Sequence, residues 1–216
     1  MISNDFKKRI FTSIVLLGLT LLMFKFNLWL AYCLIVLGVL SILEFLNIMK
    51  KITNKKLYLF ISNSFFSIYI FIFFFIFFFF SQFIQLKIIL FTLLLGCVGS
   101  DIGGLIFGKL LKGPKLTQIS PNKTIAGSFG SIILTCLIIS ISMAYFTKNF
   151  SYTLLIIAVI TSAACQFGDL FFSFLKRKAK IKDTGNFLPG HGGILDRLDG
   201  IFLGLPLGYI SLILFY

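Results

Sequence analysis

Aspartates, lysines, a serine and the chain's one histidine crowd into the stretch FGDLFFSFLKRKAKIKDTGNFLPGHGGILDRLDG, Phe167 to Gly200, of a chain that is 58% hydrophobic as a whole. Asp169, Ser173 and Lys176 stand at i, i+4 and i+7, so a helix continuing the preceding apolar run puts a carboxylate, a hydroxyl and an ammonium on one face. After the turn Gly190-His191-Gly192-Gly193, Asp196 and Asp199 are at i and i+3 and are predicted to share a face of the next helix. Two acidic faces joined by a basic, glycine-containing loop suit a divalent metal ion and a polyphosphate.

A second polar stretch runs from Gly99 to Gly130. Asp101 falls near the end of an apolar span, where an ionisable side chain is costly and marks a functional suspect or an interfacial cap. Lys109, Lys112 and Lys115 read as ordinary loop charges. In Ser120-Pro121-Asn122-Lys123-Thr124 a serine and a threonine flank a lysine, just before a helix that opens with Ala126, Gly127 and Ser128. Such a start offers backbone N–H groups and hydroxyls to an anion, with Lys123 as counter-charge. The competing reading is a plain helix cap after a proline turn.

The elements that hold these groups must be membrane helices. The mean hydropathy is +1.03, and only 12% of the 216 residues are charged, about half the share of a soluble domain. Spans of about 20 apolar residues are predicted at Ile10 to Phe26, Leu28 to Leu46, Leu57 to Phe80, Phe83 to Phe107, Ile125 to Phe146, Tyr152 to Leu175 and Ile201 to Tyr216. The expected fold is an all-α polytopic integral membrane protein of about seven transmembrane helices, within a range of six to nine. Gly96, Gly99, Gly103 and Gly104 offer a break in the fourth, and the sixth could also divide. The chain reads as a single membrane domain, with N-terminal helices over 1–98 and the motif-bearing helices and loops over 99–216.

The phenylalanine run from Ile68 to Phe80 reads as lipid-facing surface, since any apolar side chain satisfies the bilayer. Cys33, Cys97, Cys136 and Cys165 lie singly in apolar runs, and with one histidine in the chain a zinc site is not expected. No small-residue cleavage pattern follows the first apolar run, which reads as a retained span. Of the 20 basic residues, all but Lys25, Lys87 and Lys148 fall in the loops of one side. That asymmetry predicts an N-terminus in the cytoplasm of a multi-pass protein of the cytoplasmic (inner) membrane. The seven acids fall at or near the same side, so the active site is expected there.

The stretch Ser173 to Asp199 resembles the signature of the phosphatidate cytidylyltransferases, or CDP-diacylglycerol synthases. It carries Ser173, Lys176-Arg177, Lys182-Asp183, Gly185, Pro189, His191-Gly192-Gly193, Asp196-Arg197 and Asp199 at that family's spacing. SDIGGLIFGK from Ser100, KLTQISPNKTIAGSFG from Lys115 and Leu43-Glu44-Phe45 are similar to further regions of the family. The resemblance implies that CTP and phosphatidic acid give CDP-diacylglycerol and pyrophosphate, with Mg²⁺ as the cofactor and a homodimer in the membrane; no nucleic acid partner is expected. It implies Asp169 and Asp196 as metal ligands, and Asp169, Lys176, Asp196 and Asp199 as the catalytic set. Substrate contacts would come from Ser120, Lys123, Thr124, Ser173, Arg177, Lys182, His191 and Arg197. Two positions depart from the pattern, Phe172 and Ala126, where the family usually carries Glu, and the chain is short for the family. A CTP-dependent polyprenol kinase, a transporter and an inactive relative are the alternative readings.

Overall fold

The computed structural model describes residues 4–121, 123–148, 151–185, 187 and 192–215, with the side chains of 4–14 and 147 left aside. The described elements are helical: α1 (Asn4–Lys25), α2 (Asn27–Ile52), α3 (Lys56–Ser81), α4 (Ile84–Leu111), α5 (Ile125–Thr147), α6 (Thr153–Lys178), α7 (Leu195–Leu198) and α8 (Ile201–Phe215). Helices satisfy every backbone group internally, which a lipid environment demands. Among the described residues, six helical stretches are long and apolar enough to cross a membrane, namely α2 to α6 and Leu195–Phe215. The described apolar part of α1 is the shorter Val15–Lys25. An all-α polytopic membrane protein is therefore the fold, within the predicted range of spans.

The chain divides into two compact units. The first comprises Met1–Lys87 and Leu175–Leu198. Within it α2 and α3 pack through Phe45 stacked on Phe66, with ring centroids 4.0 Å apart. The phenylalanine run of α3 turns one face inward, with Phe66, Phe73 and Phe77 buried and Phe65, Phe71, Phe75 and Phe79 exposed. That outer face is exposed and apolar, as a lipid-facing surface would be. Lys87 is buried at the far end of these helices, its ammonium donating to Asn27 Oδ1 at 2.7 Å and lying over the Phe24 ring. Asn27 in turn donates to Gln82 Oε1 at 3.0 Å, so this cation ties helix ends together.

The second unit comprises Ile88–Phe174 and Asp199–Tyr216. Leu93, Ile139, Met143, Leu154, Ile157 and Ala158 form its apolar core. The glycines of α4 do not break the helix, which runs unbroken from Ile84 to Leu111. They instead let α5 approach. A side chain at Gly103 would press into the Gly130 carbonyl oxygen, and a Cβ on Gly127 would stand 2.8 Å from the Gly104 oxygen. Small residues allow close helix packing where lipid supplies no hydrophobic drive between helices, and hydroxyls add hydrogen bonds there. Ser131 donates to the Ser100 carbonyl at 2.7 Å and Thr135 to the Gly96 carbonyl at 3.2 Å. Ser100 and Ser162 lie 3.1 Å apart, which adds α6. α6 is also undivided.

Because the obstacle at Gly103 is backbone, Gly103→Ala is expected to lower stability by about 1–3 kcal/mol. A fall in the thermal midpoint of the detergent-solubilised protein reports it, with Gly18→Ala, where a Cβ meets nothing within 4 Å, as the control.

Candidate functional site

Polar side chains gather in each unit around a carboxylate paired with a lysine. In the second unit Asp169 of α6 forms an ion pair with Lys123, each side chain 26% exposed, so the pair stays within reach of water. The other Asp169 oxygen accepts from Ser173 at 3.3 Å, one helical turn onward. The i, i+4 placement read from the sequence therefore brings hydroxyl and carboxylate together.

The segment before α5 holds Lys123 in position. The Lys123 N–H donates to the Ser120 carbonyl at 3.0 Å, and its carbonyl accepts from Leu116 at 2.8 Å. Thr124 is the N-cap of α5, its hydroxyl accepting from the Gly127 N–H at 3.1 Å, the standard use of a threonine there. The Ile125 N–H goes to the Pro114 carbonyl at 3.1 Å. Two donors of the helix start that the sequence offers to an anion are thus engaged locally, and Thr124 has the capping role.

Asp199 is also in this unit, buried, with the Gly200 N–H on its own Oδ1 at 2.9 Å. Its carbonyl oxygen passes so close to α6 that a Cβ on Gly168 would lie 2.5 Å from it. Asp101 is exposed on α4.

In the first unit Lys176, in the last turn of α6, donates to Asp196 Oδ1 at 2.7 Å, the two side chains being 11% and 8% exposed. Lys176, Arg177 and Lys178 close that helix, where cations oppose the carbonyl end of the dipole. Lys180 then takes φ 55, a left-handed helix stop, and turns the chain toward Thr184. Asp196 Oδ2 accepts from the Thr184 N–H at 2.8 Å, the Gly193 N–H at 3.0 Å and the Thr184 hydroxyl at 3.0 Å. Gly192 has φ 81, and a Cβ on it would sit 3.1 Å from the same oxygen. Arg177, Lys182, Asp183 and Arg197 are exposed. His191 and Pro189 lie outside the described residues.

Asp196 and Asp199 do not share a helix face. α7 ends at Leu198, and Asp199 stands in the turn before α8.

The residue that spacing did not assign is Glu44. It is 2% exposed and accepts the Thr184 hydroxyl at 2.6 Å, the Ile194 N–H at 3.0 Å and the Leu195 N–H at 2.8 Å. It thereby satisfies the start of α7 from another helix. The available signal was an acid inside the apolar run of α2, which is expensive without a partner.

Among the described residues no three metal-ligating side chains converge. In each unit the carboxylate is of the kind a magnesium ion takes from protein, its shell completed by water and phosphate oxygens; an all-protein cage is not what either unit forms among the described residues. Both carboxylates already accept a lysine ammonium, so these positions accommodate positive charge.

The Cytidylyltransferase family profile matches residues 2–215, and the chain belongs to that family. It is 41% identical over 124 residues to a phosphatidate cytidylyltransferase of Helicobacter pylori, a match covering 57% of this chain and 46% of that one. It is 47% identical over 117 residues to one of Staphylococcus haemolyticus, covering 53% and 45%, and 42% identical over 118 residues to one of Bacillus subtilis, covering 54% and 44%. The matched segment thus spans about half the length of these curated relatives.

Proposed function

We propose that this chain transfers the cytidylyl group of CTP to phosphatidic acid, giving CDP-diacylglycerol and pyrophosphate. The observation that carries the reading is Asp196, a largely buried carboxylate held by Lys176, Thr184 and Gly193 within a family-matched chain. The Lys176 ammonium and the Thr184 and Gly193 N–H groups fix the direction of this carboxylate, which a site that must align two phosphates needs.

In this reading a phosphate oxygen of the lipid attacks the α-phosphorus of CTP and pyrophosphate leaves in line. The attacking phosphate is already ionised, so no residue is required as its base. Both substrates are anions, and Lys123 and Lys176 bring ammonium groups to offset their repulsion. The exposed Arg177, Lys182 and Arg197 supply a field that draws a polyphosphate in, while Ser173 offers a hydroxyl. Asp169 and Asp196 would hold Mg²⁺, which when bound neutralises charge on the reacting phosphate oxygens. Phosphatidic acid stays in its leaflet, since each exposed CH₂ costs about 0.8 kcal/mol. The lysine distribution supports a cytoplasmic N-terminus and active site, and a homodimer accompanies the proposal by resemblance.

The test follows labelled CTP into CDP-diacylglycerol with detergent-solubilised protein and phosphatidic acid, with Mg²⁺ or with chelator. Asp169→Asn and Asp196→Asn, each alone, are expected to lower the metal-dependent rate by at least about 100-fold. Undiminished turnover in both variants would remove the metal assignment, and a folded wild type without product would remove the reaction.

A further inference from the structure

Glu44 is a buried acid that the reaction scheme does not use. Among the described residues no ammonium or guanidinium is shown against it. Its described partners are the Thr184 hydroxyl and the N–H groups of Ile194 and Leu195. These lie 140 to 151 residues away in sequence, at Thr184 and at the start of α7. Accepting from both, the carboxylate bridges Thr184 to the start of α7, as a clasp would.

The glycines of the motif fit the same carboxylate. A Cβ on Gly185 would stand 2.6 Å from Glu44 Oε1, and one on Gly193 would stand 2.5 Å from Oε2. Neither residue has a positive φ among those recorded, so backbone conformation does not demand glycine at either place. The space does. At both positions the glutamate head takes the space a Cβ would need, and the glycines form its socket.

Thr184 links this socket to Asp196. Its hydroxyl oxygen is 2.6 Å from Glu44 Oε2 and 3.0 Å from Asp196 Oδ2. A hydroxyl has one proton to donate, and the shorter contact assigns it mainly to Glu44. The Thr184 N–H, at 2.8 Å, remains for Asp196. Holding the Thr184 side chain therefore aims the backbone donor that orients Asp196.

We propose that Glu44 is a positioning residue for the cytidylyl transfer, acting through Thr184 and the start of α7 to set the direction of the Asp196 carboxylate. The inference rests on the reaction proposed above. Partners that orient a ligating or phosphate-directed carboxylate are worth about 10- to 100-fold in activity. Gln in place of Glu44 turns an amide NH₂ toward N–H donors and breaks the clasp. Val in place of Thr184 keeps the shape and removes the hydroxyl, while Ser restores it.

The experiment compares wild type, Glu44→Gln, Thr184→Val, Thr184→Ser and the double variant Glu44→Gln/Thr184→Val, using CTP, phosphatidic acid and Mg²⁺. Alongside, hydrogen exchange is read at the Ile194 and Leu195 amides without substrate. The expected result is kcat lowered by about 10- to 100-fold in Glu44→Gln and Thr184→Val, with KM for CTP changed less than about threefold. Thr184→Ser keeps its rate. The double variant falls no further than the worse single one, as residues of one network do, and the two amides exchange faster in Glu44→Gln. Full kcat in Thr184→Val, or losses that multiply in the double variant, would overturn the positioning role in an active enzyme. Unchanged exchange in Glu44→Gln would overturn the socket whether or not the wild type turns over. Faster exchange beside an inactive wild type would support the socket and sink the reaction instead.

Discussion

Lys176→Met is expected to cost the protein both its fold stability and its turnover, and a second substitution separates the two losses. The Lys176 and Asp196 side chains are 11% and 8% exposed and meet at 2.7 Å. Removing one partner of a buried pair leaves the other charge without compensation, at a cost of about 3–5 kcal/mol. That is a large share of the 5–15 kcal/mol by which a typical domain is stable. Asp196 would keep its contacts to Thr184 and Gly193, but those are neutral donors and do not cancel its charge.

Lys176→Met/Asp196→Asn removes both charges, so most of the lost stability should return while CDP-diacylglycerol formation stays at least about 100-fold down. The thermal midpoint and the labelling rate of the buried Cys97 and Cys165 thiols report the first effect, and the CTP assay reports the second. If the double variant regained turnover, neither Lys176 nor Asp196 would belong to the reacting site and their pair would be structural only. If Lys176→Met unfolded no earlier than wild type, the pair would not be held out of water.

The spans were legible because apolar runs of membrane length leave little choice of structure: α3, α5 and α6 run within three residues of the bounds hydropathy set, while α2 and α4 continue six and four residues past their predicted ends into lysine-bearing sequence. The glycines of α4 were ambiguous for a physical reason. Glycine weakens a helix, but it also admits a neighbour, and only the partners at Gly130 and Gly104 decide between the two. The i, i+4 relation of Asp169 and Ser173 was readable because it is local. The helix expected to carry both Asp196 and Asp199 was not, since Asp199 falls in a turn whose carbonyl packs on Gly168, a residue 31 positions upstream. The partners of Glu44 and the Lys123–Asp169 pair lie still further apart in sequence. Spacing along the chain carries no trace of such contacts, although a lone acid in an apolar helix does announce that a partner exists.

Phe172→Glu puts two arguments in opposition, and the packing decides between them. The family resemblance places a glutamate at this position, so restoring it could be expected to raise activity. In this chain, however, Phe172 is 4% exposed and its ring centroid lies 6.3 Å from that of Phe202, itself 1% exposed. Phe171 meets it edge-on at 5.4 Å. A carboxylate there loses the ring contacts and is buried among aromatic side chains, three residues along the helix from Asp169. Like charges at that spacing repel, and a buried group without hydrogen-bond partners is costly. The variant is expected to lose at least about 3 kcal/mol of stability and to turn over no faster than wild type. Phe172→Leu, which keeps the site apolar, is expected to stay closer to wild type in both. Thermal unfolding in detergent, read beside the CTP assay, checks the pair. A glutamate variant as stable as wild type and faster would show that the position opens onto polar groups during turnover, and that this chain works below the activity its scaffold allows.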